Sequence, residues 1–150
     1  MKLLVLCMLF FCEATFCFRM ASPGTYFSDS HLWVKELYED VVRIGITDYE
    51  QEKLGDVVFV DLTEVGAVFE KDDYLVSFPV LKNVNEVDFY MPVSGTITTI
   101  NDELEDSTEL LNKEPFEGGW LMEIKMSNPS ELNSLMTKTA YDQMISDLNE

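Results

Sequence analysis

Past residue 17 the chain contains no cysteine at all. The three it has, Cys7, Cys12 and Cys17, all fall in the first stretch. A disulfide framework, a thiolate metal site and a cysteine nucleophile are therefore excluded for everything that follows. Histidine is almost as scarce, with only His31, so no histidine cluster can hold a metal. Basic residues are few: 10 Lys and Arg face 28 Asp and Glu, for a net charge of −18. An anionic surface of that size repels phosphate backbones and argues against nucleic acid as a partner. It suits basic partner surfaces and fast, salt-sensitive docking, although solubility alone would also account for it. A long apolar run is missing too. The longest, residues 3–11, is too short to span a bilayer comfortably, so no stable membrane insertion is expected.

What is present is a core. Apolar residues make up 47% of the 150, enough to rule out a disordered acidic tail, and the length fits one domain. Residues 1–19 stand apart. Lys2 precedes the apolar run, which is the layout of a secretory signal peptide. Phe16 and Phe18 crowd the place where a cleavage site wants small residues. A mitochondrial presequence would carry more arginine than Arg19 alone, and a start at Met20 is a third option. These residues are treated as a leader or targeting segment, and residues 20–150 as the domain.

Short strands dominate that domain. Residues 26–37 read as a strand, and the β-branched run 41–46 as a second. Thr47 with Glu50 forms a Thr-x-x-Glu capping box, and Gly55 stops the helix it opens after residue 53 or 54. Residues 57–62 read as a buried strand. Turns are expected at 64–67 and 71–73. Residues 74–81 and 84–91 form two arms of a hairpin with Lys82 and Asn83 between them. Pro79 lacks a backbone donor and marks an edge or bulge. The turn 92–95 leads into a strand at 96–100, then an acidic loop at 101–106 and a brief helix at 108–112. An alternating strand follows at 120–125. Ser127 or Asn128 caps a helical section starting at Pro129, and Thr139 opens a final helix. The outline is mainly β: a sandwich or partly closed barrel, with a short helix in the N-terminal half and one or two C-terminal helices.

Few residues suggest chemistry on their own. His31 beside Trp33 is a candidate, but such a histidine is more often part of a strand surface. Asp72 and Asp73, or Glu103, Glu105 and Asp106, carry the oxygen ligands of a hard cation; without EF-hand spacing they read as solvated loop charges. No nucleophile–base pair or cofactor motif appears, so the chain does not read as an enzyme.

Longer motifs say more. YFSDSHLWV at 26–34, GITDYEQEKLGDVVFVDL at 45–62 and EVG at 64–66 are similar to the N-terminal half of glycine cleavage system H proteins. PVSG at 92–95 matches the turn after that family's modified hairpin, and residues 101–112, EPF at 114–116 and GWL at 119–121 match its C-terminal half. The resemblance covers residues 26–146. It implies a barrel-sandwich hybrid fold and a lipoyl group in amide linkage to one hairpin lysine, which here is Lys82. Counting back from Gly95, an ungapped match places Val84 at the lysine position. Lys82 takes it when the hairpin is two residues longer on its far side.

The resemblance further implies a carrier rather than an enzyme. Its arm accepts an aminomethyl group from a pyridoxal-phosphate glycine decarboxylase, then visits an aminomethyltransferase and a dihydrolipoyl dehydrogenase. Two alternatives stay open: an H-like protein without the arm that docks or regulates, and a carrier that hands lipoyl groups to other complexes. The implied compartment is a mitochondrion or related organelle in a eukaryote, or the cytoplasm in a bacterium, whereas the apolar leader suggests secretory or plastid routing.

Overall fold

The computed structural model describes residues 24–78 and 87–150. The expected leader with its three cysteines, Pro79 and the expected hairpin tip with Lys82 lie outside the described residues.

The main sheet is six-stranded, antiparallel and open at both edges, in the order β1-β2-β3-β8-β7-β4. β1 is Thr25–Phe27, β2 Leu32–Tyr38, β3 Val41–Ile46, β4 Val68–Phe69, β7 Gly95–Ile100 and β8 Met122–Met126. β5 (Tyr74–Phe78) and β6 (Val87–Tyr90) pair with each other as a separate two-stranded sheet. The helices are α1 (Asp48–Leu54), α2 (Glu103–Asp106), α3 (Leu110–Lys113), a 3₁₀ helix at Pro129–Ser134, and α4 (Lys138–Leu148). This is the mainly β architecture with a short early helix and a C-terminal helix that the sequence implied.

The centre of the sheet is held by register. Val34 pairs with Ile44, which in turn pairs with Met122, and all three side chains are buried. Leu32, Ile46, Phe89, Met91, Ile97, Leu104 and Leu121 close the same core. Burial of this kind stabilises by about 1.5–3 kcal/mol per large side chain. A second cluster joins Phe27, Trp33 and Tyr141 of α4, with the Phe27 and Tyr141 rings stacked at 4.8 Å. Trp33 Nε1 donates to Pro115 O at 2.8 Å, so the indole has its polar partner as well as its packing. Gly45 makes room for it: a Cβ there would come within 2.6 Å of Trp33 Nε1.

α1 starts and stops where the capping signals put it. Thr47 accepts from Glu50 N at 3.4 Å, and Gly55 ends the helix at φ 72°, a conformation that favours glycine. The box is only half closed, because Thr47 N donates to His31 O and leaves Glu50 free to turn elsewhere.

Four expectations need correction. The strand expected over 26–37 is two, broken by a turn in which His31 sits at φ 62°. Residues 58–62 belong to no strand. Val57 and Val60 are the buried positions, while Val58 and Phe59 are exposed, and a spacing of three does not suit a pleat. The acidic segment after Asn101 contains α2, which Leu104 anchors in the core. α4 begins at Lys138 because Thr137 is the residue that caps it, accepting from Ala140 N at 3.3 Å.

Candidate functional site

The β5–β6 hairpin pairs Tyr74 with Tyr90, Val76 with Phe89, Ser77 with Asp88 and Phe78 with Val87, with an irregularity between Tyr74 and Val76. Phe89 is fully buried and roots the hairpin in the core. Its two feet are closed by backbone hydrogen bonds: Asp72 N donates to Met91 O and Met91 N to Asp73 O, both at 2.8 Å. Asp72 has φ 69°, and Asp73 Oδ2 accepts from Glu70 N at 2.8 Å. These two aspartates thus shape the turn into β5 rather than converging on a cation. Glu103, Glu105 and Asp106 lie on α2. Among the described residues no group of three or more His, Cys, Asp or Glu is placed to share a metal ion.

A cleft of about 570 Å³ opens at the hairpin's foot. One wall is the turn Ser28–Ser30. The second is Lys71 with Tyr90, Met91 and Pro92, and the third is Leu135 and Met136 at the end of the 3₁₀ helix. Phe27 and Met136 hold the first and third walls together by mutual backbone hydrogen bonds of 2.9 and 2.8 Å.

Behind the Ser28–Ser30 turn lies a polar cluster. His31 Nδ1 is 2.9 Å from the Tyr141 hydroxyl, which is 2.7 Å from Thr47 Oγ1. These contacts lock the β1–β2 turn, the start of α1 and α4 to one another. Burial lowers the pKa of His31, with Lys53 adding to the effect and Asp29 opposing it. Burial also pushes the Tyr141 phenol up to about 12. Glu50 is almost wholly buried, and among the described residues its Oε2 has no hydrogen-bond partner. His31 Nε2 is 3.9 Å from it and Lys53 Nζ 3.8 Å. Burial raises the Glu50 pKa, and Lys53 partly offsets this. His31 is therefore a structural hub rather than a strand-surface residue. Its partners Tyr141 and Glu50 lie far away in sequence, and only the Thr47 cap gave any signal.

The hairpin's exit carries one further junction that sequence reasoning missed. Ser94 N donates to Glu131 Oε2 at 2.6 Å, and Ser94 Oγ donates to Glu131 Oε1 at 2.8 Å. Lys71 N donates to the same Ser94 Oγ at 2.9 Å. Nothing in the spacing of Ser94 and Glu131 announces this pairing.

An open antiparallel sheet bearing a self-paired hairpin, with a cleft at the hairpin's foot, defines a small mainly β scaffold built around that hairpin. The comparisons agree on which scaffold. The family model described as Glycine cleavage H-protein matches residues 25–148. A glycine cleavage system H protein of Vibrio atlanticus is 49% identical over 116 residues, covering 77% of this chain and 90% of the relative. One from Escherichia coli is 45% identical over 121 residues, covering 81% and 92%. A crystal structure of a glycine cleavage system H protein from Mycobacterium marinum superposes with a TM-score of 0.73 at 26% identity, covering 84% of this chain and 99% of that one. The chain belongs to the glycine cleavage H-protein family. These relatives are bacterial, and among the described residues no helix is long and apolar enough to cross a membrane.

Proposed function

We propose that this chain is the lipoyl carrier of the glycine cleavage system, with Lys82 as the attachment residue. The observation that carries this is the hairpin. It forms a two-stranded sheet of its own inside a family match running from residue 25 to 148, and Lys82 is the one lysine between its arms. When bound, the lipoyl group supplies a disulfide that opens to accept an aminomethyl carbon and a dithiol that is later reoxidised. The chain supplies placement. The core roots the hairpin through Phe89, the tip lysine provides the amine for an amide bond, and tethering raises the effective concentration of the arm at each partner. The cleft at the foot has apolar surface from Met91, Leu135 and Met136, which suits a largely hydrocarbon arm at rest.

The partners on this reading are the pyridoxal-phosphate glycine decarboxylase, the aminomethyltransferase and the dihydrolipoyl dehydrogenase. The acidic surface favours rapid, salt-sensitive docking to them. The chain itself is the shuttled substrate and catalyses nothing. Its compartment is that of these enzymes, a mitochondrion or related organelle in a eukaryote and the cytoplasm in a bacterium. N-terminal sequencing of the mature protein tests whether residues 1–19 are removed on the way.

One observation favours a second reading. The ungapped count places Val84, not Lys82, at the family's lysine position, as expected of an H-like protein that docks without an arm. Intact mass of protein purified from its own cells separates the two. A lipoyl-sized increment that maps to Lys82 and vanishes in Lys82→Ala supports the carrier. Unmodified protein from lipoate-replete cells in which other lipoyl proteins are loaded overturns it.

A further inference from the structure

Every hydrogen-bonding group of Ser94 is in use. Its N–H and its hydroxyl both donate to the Glu131 carboxylate, its Oγ accepts from Lys71 N, and its carbonyl accepts from Ser127 N at 3.0 Å. Lys71 stands before the first hairpin strand and Ser94 after the second, so this one serine ties both feet together. Glu131 belongs to neither sheet. It comes from the 3₁₀ helix, whose C-terminal end supplies Leu135 and Met136 to the cleft wall opposite Tyr90 and Met91. A half-buried carboxylate taking two short bonds from one residue is a strong, directional link. Its removal frees the feet to move against the C-terminal wall without touching the apolar core.

We propose that Glu131 is a positioning residue for the hairpin: through Ser94 it sets where the hairpin rises from the sheet and how wide the cleft beside it stands. Its functional meaning rests on the carrier reading, because an enzyme that loads or discharges the tip must find it at a fixed place relative to the body of the protein. The same substitution would matter little in a protein whose hairpin presents nothing.

The test uses the full chain with Glu131→Ala, Glu131→Gln and Ser94→Ala, read in two ways. The first is amide hydrogen exchange residue by residue. Loss of bonds to a charged acceptor is expected to speed exchange at Lys71, Ser94 and the described hairpin strands about 10- to 100-fold. Glu131→Gln falls between Ala and wild type, while β2, β3 and β8 keep their wild-type rates. The second is steady-state attachment of lipoate by a lipoate-protein ligase with ATP, the protein being the acceptor. A drop in kcat/KM that follows the exchange order Ala, Gln, wild type supports positioning. Exchange that rises equally in both sheets, or does not rise at all, overturns the proposal. So does unchanged kcat/KM alongside a loosened hairpin. A wild-type chain that takes no lipoate sinks the carrier reading, and the exchange pattern still decides whether Glu131 holds the hairpin.

Discussion

Gly45→Ala tests the packing on which the N-terminal half depends. Gly45 pairs with Trp33 across β2 and β3, and the added methyl would stand 2.5 Å from Cε2 and 2.6 Å from Nε1 of an indole that is 1% exposed. The far end of a flexible chain could yield to such a contact, but this ring is boxed in. Its Nε1 is fixed on Pro115 O, and Phe116 lies 6.1 Å from it centroid to centroid. Overpacking of a filled core costs about 1–3 kcal/mol. If the ring rotates away, its buried donor loses its partner at a further cost of about 1–3 kcal/mol. Replacing a strand glycine returns about 0.5–1 kcal/mol through the unfolded chain. The net is a destabilisation of about 2–4 kcal/mol, which for a domain of this size lowers Tm by roughly 10 °C. Thermal unfolding followed by circular dichroism measures it. A double-mutant cycle with Trp33→Leu tests the cause, because in that background the methyl has room and its cost should fall by at least about 1 kcal/mol. A Tm within about 3 °C of wild type, or an equal cost in both backgrounds, refutes the reasoning.

Glu50→Gln should stabilise the protein at neutral pH and do little in acid. A carboxyl whose folded pKa lies above its ordinary 4.5 holds its proton more tightly when folded, so the wild type loses stability as pH rises above 4.5 and through the folded pKa. Urea unfolding at pH 4 and pH 7 checks this, and a variant that loses more at pH 7 than at pH 4 counts against it. His31 works in the other direction. Its folded pKa lies below 6.5, so its share of stability is complete above pH 6.5 and is lost as the pH falls through the folded value. His31→Asn, which tolerates the positive φ, should flatten that part of the stability profile, and an unchanged slope below pH 6.5 refutes the assignment. Asn101→Asp replaces the amide donor with a carboxylate acceptor that faces the carbonyls of Gly118 and Trp120, to which the native side chain donates at 2.9 and 2.7 Å. The uncompensated buried charge should cost about 3–5 kcal/mol at pH 7 and less at pH 4, as denaturant midpoints will show.

Local signals carried well from sequence to structure. Thr47 and Gly55 bound α1 because a cap and a positive φ are decided by neighbouring backbone. The runs at 41–46 and 96–100 are strands because their β-branched residues fit a half-buried pleat. Signals failed where tertiary contacts override pattern. Residues 58–62 look like a strand by composition, yet Val58 and Phe59 face outward. The alternation through 26–37 conceals the turn at His31, whose geometry is held by Tyr141 from 110 residues away. The site divides in the same way. The two arms of the hairpin are legible in their strand-like runs and in collinear motifs, whereas the clasp between Ser94 and Glu131 depends on side chains 37 residues apart with no repeat or spacing to mark them.

The hairpin's independence from the main sheet bears on how this protein tolerates insertion. β5 and β6 pair with each other as a sheet of their own, and the six-stranded sheet takes its register from other strands. Residues added between the two arms therefore leave the register of the six-stranded sheet unchanged. Doubling the length of a closed loop costs only about 0.6 kcal/mol, and two extra residues cost less. Chain length at the tip can thus drift between relatives almost free of folding penalty, and the position of a tip lysine, counted from the fixed turn at Gly95, can drift with it. On the carrier reading, what limits that drift is the reach of the enzymes that meet the tip, so engineered insertions between the arms should register in their kinetics long before they register in a melting curve.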